Sequence, residues 1–312
     1  MQARQLVYHV KQLDPFFEDI GNICTQQHGE NLLEDILKEK KQEVQSGKIK
    51  GLMLFKVNNP IGFAWVDLVT KNYGNIVLHV YQDVYVEELC KAVSQKGLLS
   101  GNLVELIQYK EIAPYRAAMT KLRFIETHRQ RMGMELEADW AKEPEIPKNL
   151  TFEPITKKDI PEIAEISFEA HKVSKDQHGY PDLASVQSRI ALEERVFSNI
   201  YGNVIGNASV LLRDKGKLVG FIVNVDIKCW GYDHVPWIFD ISVRPDCHGK
   251  GYGKLLLQYA LAVLFKEKYP AIGLSVTCSN TPAIQLYEKL GLQFIEDFYE
   301  YLDRDSFILP ED

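Results

Sequence analysis

The run Trp237-Ile238-Phe239-Asp240-Ile241-Ser242-Val243-Arg244-Pro245-Asp246-Cys247-His248-Gly249-Lys250-Gly251-Tyr252-Gly253-Lys254 decides the fold class of this 312-residue chain. Its first seven residues are mostly apolar strand formers, bounded by Pro236 and Pro245. That pattern predicts a short buried strand. Lys254 to Lys266 follows as an apolar run rich in Leu and Ala. It is too long for a strand and is built of strong helix formers, so a buried helix is predicted. Strand, glycine-rich turn and helix together read as an α/β arrangement. The turn itself is a physical anion site. Glycines let backbone N–H groups approach a phosphate, and the first turn of a helix offers unpaired N–H groups and the positive end of its dipole. Lys250 and Lys254 add cationic donors at its mouth.

The glycines fall at 249, 251 and 253. This is neither the Walker A spacing nor the G-x-G-x-x-G of dinucleotide folds. Downstream, Ala271 to Thr277 reads as a strand. Asn280-Thr281-Pro282-Ala283-Ile284-Gln285-Leu286-Tyr287-Glu288-Lys289-Leu290-Gly291-Leu292 then reads as a short helix. Asn280 or Thr281 caps it, Pro282 sits in its first turn, and Gly291 ends it. Phe294-Ile295 and Phe298 to Leu302 are expected to form two closing strands.

These two elements resemble the GNAT family of N-acetyltransferases. Gly251 and Gly253 match the small positions of its [Q/R]-x-x-G-x-[G/A] loop, with His248 where Gln or Arg is usual. The second element is similar to the family's N-x-x-A-[IR]-x-L-Y-x-x-x-G-[FL] pattern, and the resemblance covers roughly residues 151–302. It implies a central mixed, mostly antiparallel twisted sheet flanked by helices. It also implies transfer of an acetyl group from acetyl-CoA to a primary amine by direct attack. The implied cofactor-binding residues are Ile241, Ser242, Val243, His248, Gly249, Lys250, Gly251, Tyr252, Gly253, Lys254 and Asn280. His248 is expected to offer mainly its backbone N–H. Tyr287 stands at the general-acid position, where a phenol is well matched to protonating a thiolate; the alternative is a packed core tyrosine. Asp240 either relays a proton from the amine or makes a structural hydrogen bond.

Further out, the chain repeats itself. Ile61-Gly62-Phe63 aligns with Val219-Gly220-Phe221 at an offset of 158 (220 − 62), and Phe124-Ile125-Glu126 with Phe294-Ile295-Glu296 at 170 (294 − 124). Each half has a strand hairpin, at 52–69 and 209–223, which suggests a duplicated module. Extra residues in the second half are expected after its hairpin. Two prolines and four charges between Lys142 and Asn149 read as a linker. The expected division is therefore 1–142, a linker 143–150, and a catalytic domain 151–312. The first half has no glycine between Gly74 and Gly97, and the 170 offset puts Ala117 where Tyr287 stands. It reads as a degenerate copy without the cofactor loop.

The composition narrows the rest. A formal net charge of −7 argues against charge-driven nucleic-acid binding. No run of about 20 apolar residues suggests a membrane span, and Met1 to Val10 lacks a signal-peptide core. The five cysteines include no C-x-x-C pair, which argues against disulfides or a cysteine-based zinc site and for a reduced, cytoplasmic protein. His171, His178 and His234 show no metal-ligand spacing and read as exposed loop residues, so no metal is expected. The stretch His171 to Asp182 is expected to shape the acceptor site. Lys228 to His234 is either a wall of that site or a hairpin tip. Cys247 and Cys278 read as bystander thiols. Two alternatives stay open: a non-catalytic acyl-CoA-binding or regulatory module, and an acyltransferase with another donor.

Overall fold

The computed structural model describes residues 1–138, 142–174 and 180–303. In chain order it holds β1 (Gln2–Gln5), α1 (Asp14–His28), α2 (Glu34–Gln45), β2 (Lys50–Lys56), β3 (Asn59–Leu68), β4 (Tyr73–Val80), α3 (Val86–Gln95), β5 (Leu103–Ile107), α4 (Ala113–Lys121) and β6 (Ile125–Glu135). The second half continues with β7 (Leu150–Pro154), α5 (Ile160–Ser174), α6 (Val186–Val196), β8 (Asn203–Val204), β9 (Val210–Asp214), β10 (Lys217–Cys229), β11 (Tyr232–Val243), α7 (Tyr252–Lys266), β12 (Ala271–Thr277), α8 (Thr281–Lys289) and β13 (Gln293–Leu302). The expected pair of closing strands is the single strand β13.

The chain forms two compact units, and their boundary differs from the expected one. The first is Met1–Thr127 with residues 299–303; the second is His128–Phe298. The physical reason is strand pairing. In the second unit β12 pairs antiparallel with β6, from Ala271↔Glu135 to Thr277↔Arg129. In the first, β5 pairs with the end of β13 at Glu300↔Glu105 and Leu302↔Leu103. Each unit thus completes its sheet with a strand from the other half of the sequence. The proline-rich segment after residue 142 is irregular as expected, but it does not mark the division.

The first unit orders its sheet β1-β2-β3-β4-β5-β13, and the second β6-β12-β11-β10-β9-β7, with β8 beside β10. In the first, α3 and α4 cover one apolar cluster, and the segment from Leu6 through α2 covers another. In the second, α7 and α8 cover one apolar cluster while Ile163, Ile166 and Val196 of α5 and α6 join another. The sheets are mixed: β4–β5 and β11–β12 are parallel and the other pairs antiparallel.

The duplication is visible in the registers. Gly62 pairs with Val80 and Gly220 with Val243. A Cβ at Gly62 would lie 2.7 Å from the Val80 side chain, and one at Gly220 2.8 Å from the Ser242 carbonyl. Both positions are glycine because the neighbouring strand leaves no room. Val80 and Val243 are 163 apart (243 − 80), and the helix starts Val86 and Tyr252 are 166 apart (252 − 86). The added length follows the 209–223 hairpin, as expected, and is not confined to the loop. Part lies in the longer β10–β11 hairpin and its bulge, and three residues lie in the loop. From α4 and α8 the offset is 168 (281 − 113), so Met119, not Ala117, stands opposite Tyr287.

Candidate functional site

The β10–β11 hairpin turns at Trp230 and Gly231, which both have positive φ (51° and 82°), as a tight two-residue turn needs. Trp230 packs over Gly133 and Gly273, where a Cβ would come within 2.7 Å and 2.5 Å of its ring. This segment is a packed hairpin tip and does not line the cleft described below.

Farther along, β10 pairs Asn224 with Ile238 but Val223 with Asp240, so Phe239 is an extra residue, a β-bulge. The equivalent β3–β4 pair runs without interruption from Gly62↔Val80 to Leu68↔Gly74. On its other side β11 pairs with β12 only at Trp237↔Gly273 and Ile238↔Leu274. Beyond Ile238 the two parallel strands are no longer paired, and Ile241, Ser242 and Val243 border the gap.

A cleft of about 710 Å³ fills this gap. Its walls are Ile241 to Val243, the loop and first turn of α7 (Cys247, His248, Gly249, Gly251, Tyr252, Gly253, Lys254), the start of α8 (Ser279, Asn280, Pro282, Ala283) with Leu286 and Tyr287, and the end of α5 (Ala170, His171, Val173). Of the expected site residues, only Lys250 and Asp240 are absent from its walls. Lys250 turns its ammonium toward Cys247 Sγ, 3.9 Å away.

The loop geometry follows from its residue types. Pro245–Cys247 makes one 3-10 turn, closed by Cys247 N–H donating to the Arg244 carbonyl (2.9 Å). The His248 N–H donates to the Pro245 carbonyl (3.2 Å). It therefore closes the turn, which corrects the expectation that it faces a phosphate. The His248 ring instead donates from Nε2 to the Val243 carbonyl (2.9 Å), tying the loop to β11. Gly249 and Gly251 have φ of 76° and 82° with open space where a Cβ would be. Gly251 precedes α7, whose first turn no side chain caps. The N–H groups of Tyr252, Gly253 and Lys254 thus have no intrahelical acceptor. The first unit lacks this cradle: its α3 opens with Glu87 and Glu88, which disfavour an anion.

At the other wall, Asn280 caps α8, its side chain accepting from the Ala283 N–H at 3.4 Å. This places Tyr287, buried at 7% exposure, two turns along the helix and on the cleft wall.

Asp240 lies behind the cleft and is fully buried. Its Oδ2 accepts from Ser167 Oγ (2.7 Å) and from the Arg189 guanidinium; its Oδ1 accepts from Ser242 Oγ (2.8 Å). Burial alone would raise its pKa. The Arg189 charge, the adjacent His171 and the two hydroxyl donors outweigh burial and hold the carboxyl below its ordinary range. Arg189 also lies 2.9 Å from Glu193, which has no aligned hydrogen bond. Burial, then the neighbouring Asp240 charge against that of Arg189, leaves Glu193 raised to about 7. Sequence reading missed Ser167, Arg189 and Glu193. The Arg-x-x-x-Glu spacing on a helix was their only signal.

His171 is a helix residue on α5, half-buried, not the exposed loop residue expected. Its Nδ1 lies 2.7 Å from the Ser167 carbonyl and 3.2 Å from Ser167 Oγ. Because Ser167 Oγ gives its hydrogen to Asp240, Nδ1 carries the ring hydrogen and Nε2 is the basic nitrogen. Asp240, Ser167 and His171 therefore form one chain from the interior to the cleft wall. His234 is exposed and lies 2.8 Å from Asp226; His178 and its neighbours 175–179 lie outside the described residues. No helix among the described residues is long and apolar enough to cross a membrane.

Comparison with known proteins adds three findings. The model of the acetyltransferase (GNAT) family matches residues 174–292. The chain is 41% identical over 122 residues to the [ribosomal protein bS18]-alanine N-acetyltransferase of Escherichia coli strain K12, covering 39% of this chain and 71% of that protein. Among solved structures, a GCN5-related N-acetyltransferase from Sphaerobacter thermophilus aligns over 96% of this chain and 94% of its own, with a TM-score of 0.58 and 16% identity. A likeness at that identity is one of fold.

Proposed function

The chain belongs to the GNAT acetyltransferase family, and on that premise we propose that its second unit moves an acetyl group from acetyl-CoA to a primary amine by direct attack. The supporting observation is the cleft itself, where an uncapped helix N-terminus, a strand edge released by a bulge and a tyrosine meet. Its residues fit acetyl-CoA: the two positive-φ glycines leave open a cradle that side chains would fill. The donor supplies an activated thioester carbonyl.

Each residue then has a task. The N–H groups at the start of α7 hold the pyrophosphate, with Lys254 adding charge. The backbone of Ile241 to Val243 pairs with the pantetheine amides as a strand would and polarises the carbonyl. His171 Nε2 takes the proton from the attacking amine, and Asp240 through Ser167 holds the ring in that tautomer. As the N–C bond forms and the C–S bond breaks, Tyr287 OH protonates the departing thiolate. Asp240 is thus a positioning residue. The similar Escherichia coli protein is described as acting on an alanine of a ribosomal protein, so a peptide with an N-terminal alanine heads the acceptor panel.

Acetyl-CoA at about 100 times its Kd is expected to stabilise the protein by about 2.7 kcal/mol, and Gly251→Asp to abolish that shift. Tyr287→Phe is expected to retain the shift while turnover of the panel, read by mass spectrometry, falls roughly 100-fold or more. Absence of any shift with acetyl-CoA refutes the reading. Binding without transfer to any amine supports an acyl-CoA-binding module instead.

A further inference from the structure

Behind the turn between β12 and α8 stands a second cluster that the transfer chemistry does not use. His128 at the start of the second unit, Cys278 one residue past β12 and Asp297 on β13 bring one nitrogen, one sulfur and one oxygen donor within 4.8 Å of one another. His128 Nε2 lies 2.9 Å from Asp297 Oδ1, and Cys278 Sγ lies 3.8 Å from the same oxygen. We propose that His128, Cys278 and Asp297 form a binding site for a zinc-type divalent cation.

The donor set carries the argument. Imidazole, thiolate and carboxylate are the three ligand types of protein zinc sites. Bond lengths of about 2.0–2.3 Å in a tetrahedron place neighbouring donors about 3.3–3.6 Å apart. The two distances to Asp297 Oδ1 bracket that range, and the His128–Cys278 pair lies within 4.8 Å, so side-chain shifts of roughly 1 Å close the site. The thiolate and carboxylate together cancel the charge of a divalent ion. Three protein ligands leave one position for water. The donors come from three separate stretches of backbone, so the ion would tie the Cys278–Asn280 turn, where α8 begins, to β6 and β13.

Metal binding replaces a proton here: the cation takes the thiolate sulfur and the Cys278 proton leaves to solvent, with no change of oxidation state. Burial, then the Asp297 charge and hydrogen bond, push the Cys278 thiol up to about 11, while Arg129 pulls it down. Arg129 is the nearby competing cation, and its guanidinium donates to the Ser275 carbonyl at 2.9 Å.

The test is titration of the metal-free full chain with Zn²⁺, and with Co²⁺ as a spectroscopic probe. One ion per chain is expected, with a near-ultraviolet thiolate-to-cobalt band. Cys278→Ser should abolish the band, His128→Ala and Asp297→Asn should each weaken binding more than about tenfold, and Cys229→Ser should change neither. In the wild-type chain Zn²⁺ should shield Cys278 from iodoacetamide, read by peptide mapping. Absence of saturable binding, a band that survives Cys278→Ser, or unshielded Cys278 at saturating Zn²⁺ each overturns the proposal.

Discussion

Asp240→Asn removes one charge from a sealed cluster of three. Asp240, Arg189 and Glu193 are all buried, with one cation set between two carboxyls. Breaking a buried pair by neutralising one partner costs about 3–5 kcal/mol. That cost depends on pH, because Glu193 is available to replace the lost charge. In the wild-type fold Glu193 titrates near 7, raised from its ordinary value by burial and by the Asp240 charge. Between about pH 5 and pH 7 it is protonated in the folded chain and ionised in the unfolded one. The folded state then binds one more proton, so wild-type stability falls as pH rises through that window, by up to about 1.4 kcal/mol per unit for one proton. In Asp240→Asn the repelling charge is gone and Glu193 ionises at lower pH beside Arg189, so the variant escapes this loss. The stability difference between the two proteins is therefore largest near pH 5, and narrows by about 1.4 kcal/mol per unit toward pH 7. Urea unfolding of both proteins at half-unit steps from pH 5 to 7.5 measures it. A difference that stays constant across that range refutes the coupling, and a widening one reverses its sign.

Two further perturbations address other parts of the molecule. A fragment of residues 143–312 lacks β6 and so leaves the whole edge of β12, Ala271–Thr277, unpaired; it is expected to aggregate, and co-expression with residues 1–142 to restore solubility. A monomeric, cooperatively unfolding 143–312 fragment would contradict that. His248→Ala removes the 2.9 Å bond to the Val243 carbonyl, worth about 1 kcal/mol, and is expected to weaken acetyl-CoA binding about fivefold in a calorimetric titration; an unchanged Kd would mean that the ring does not hold the loop.

The residues that proved legible in the sequence are those whose signal is local. Gly249, Gly251, Asn280, Pro282 and Gly291 each declare a backbone conformation or a cap by their own chemistry. The cleft walls follow from those positions, because turn, helix start and cap fix where the chain opens. The bulge at Phe239 had no such signal, since an extra apolar residue in an apolar strand does not disturb the pattern. Nor did Ser167, Arg189 and Glu193 signal that they meet Asp240, which lies 47 to 73 positions away along the chain. Pairing partners were the least legible of all. β6 is mostly polar, Ile-Glu-Thr-His-Arg-Gln-Arg-Met-Gly-Met-Glu, and a strand's alternation states which face is wet but never which strand lies beside it.

That pairing bears on how the two halves can change over generations. Because each unit is finished by a strand encoded in the other half, a deletion, a premature stop or a recombination at the proline-rich segment would damage both sheets at once. The half without a cofactor loop is then held in place by the architecture, whatever it binds. A change at the paired residues of β6, Arg129 to Glu135, is therefore felt in the sheet that holds the cleft, although it is encoded in the half that has none.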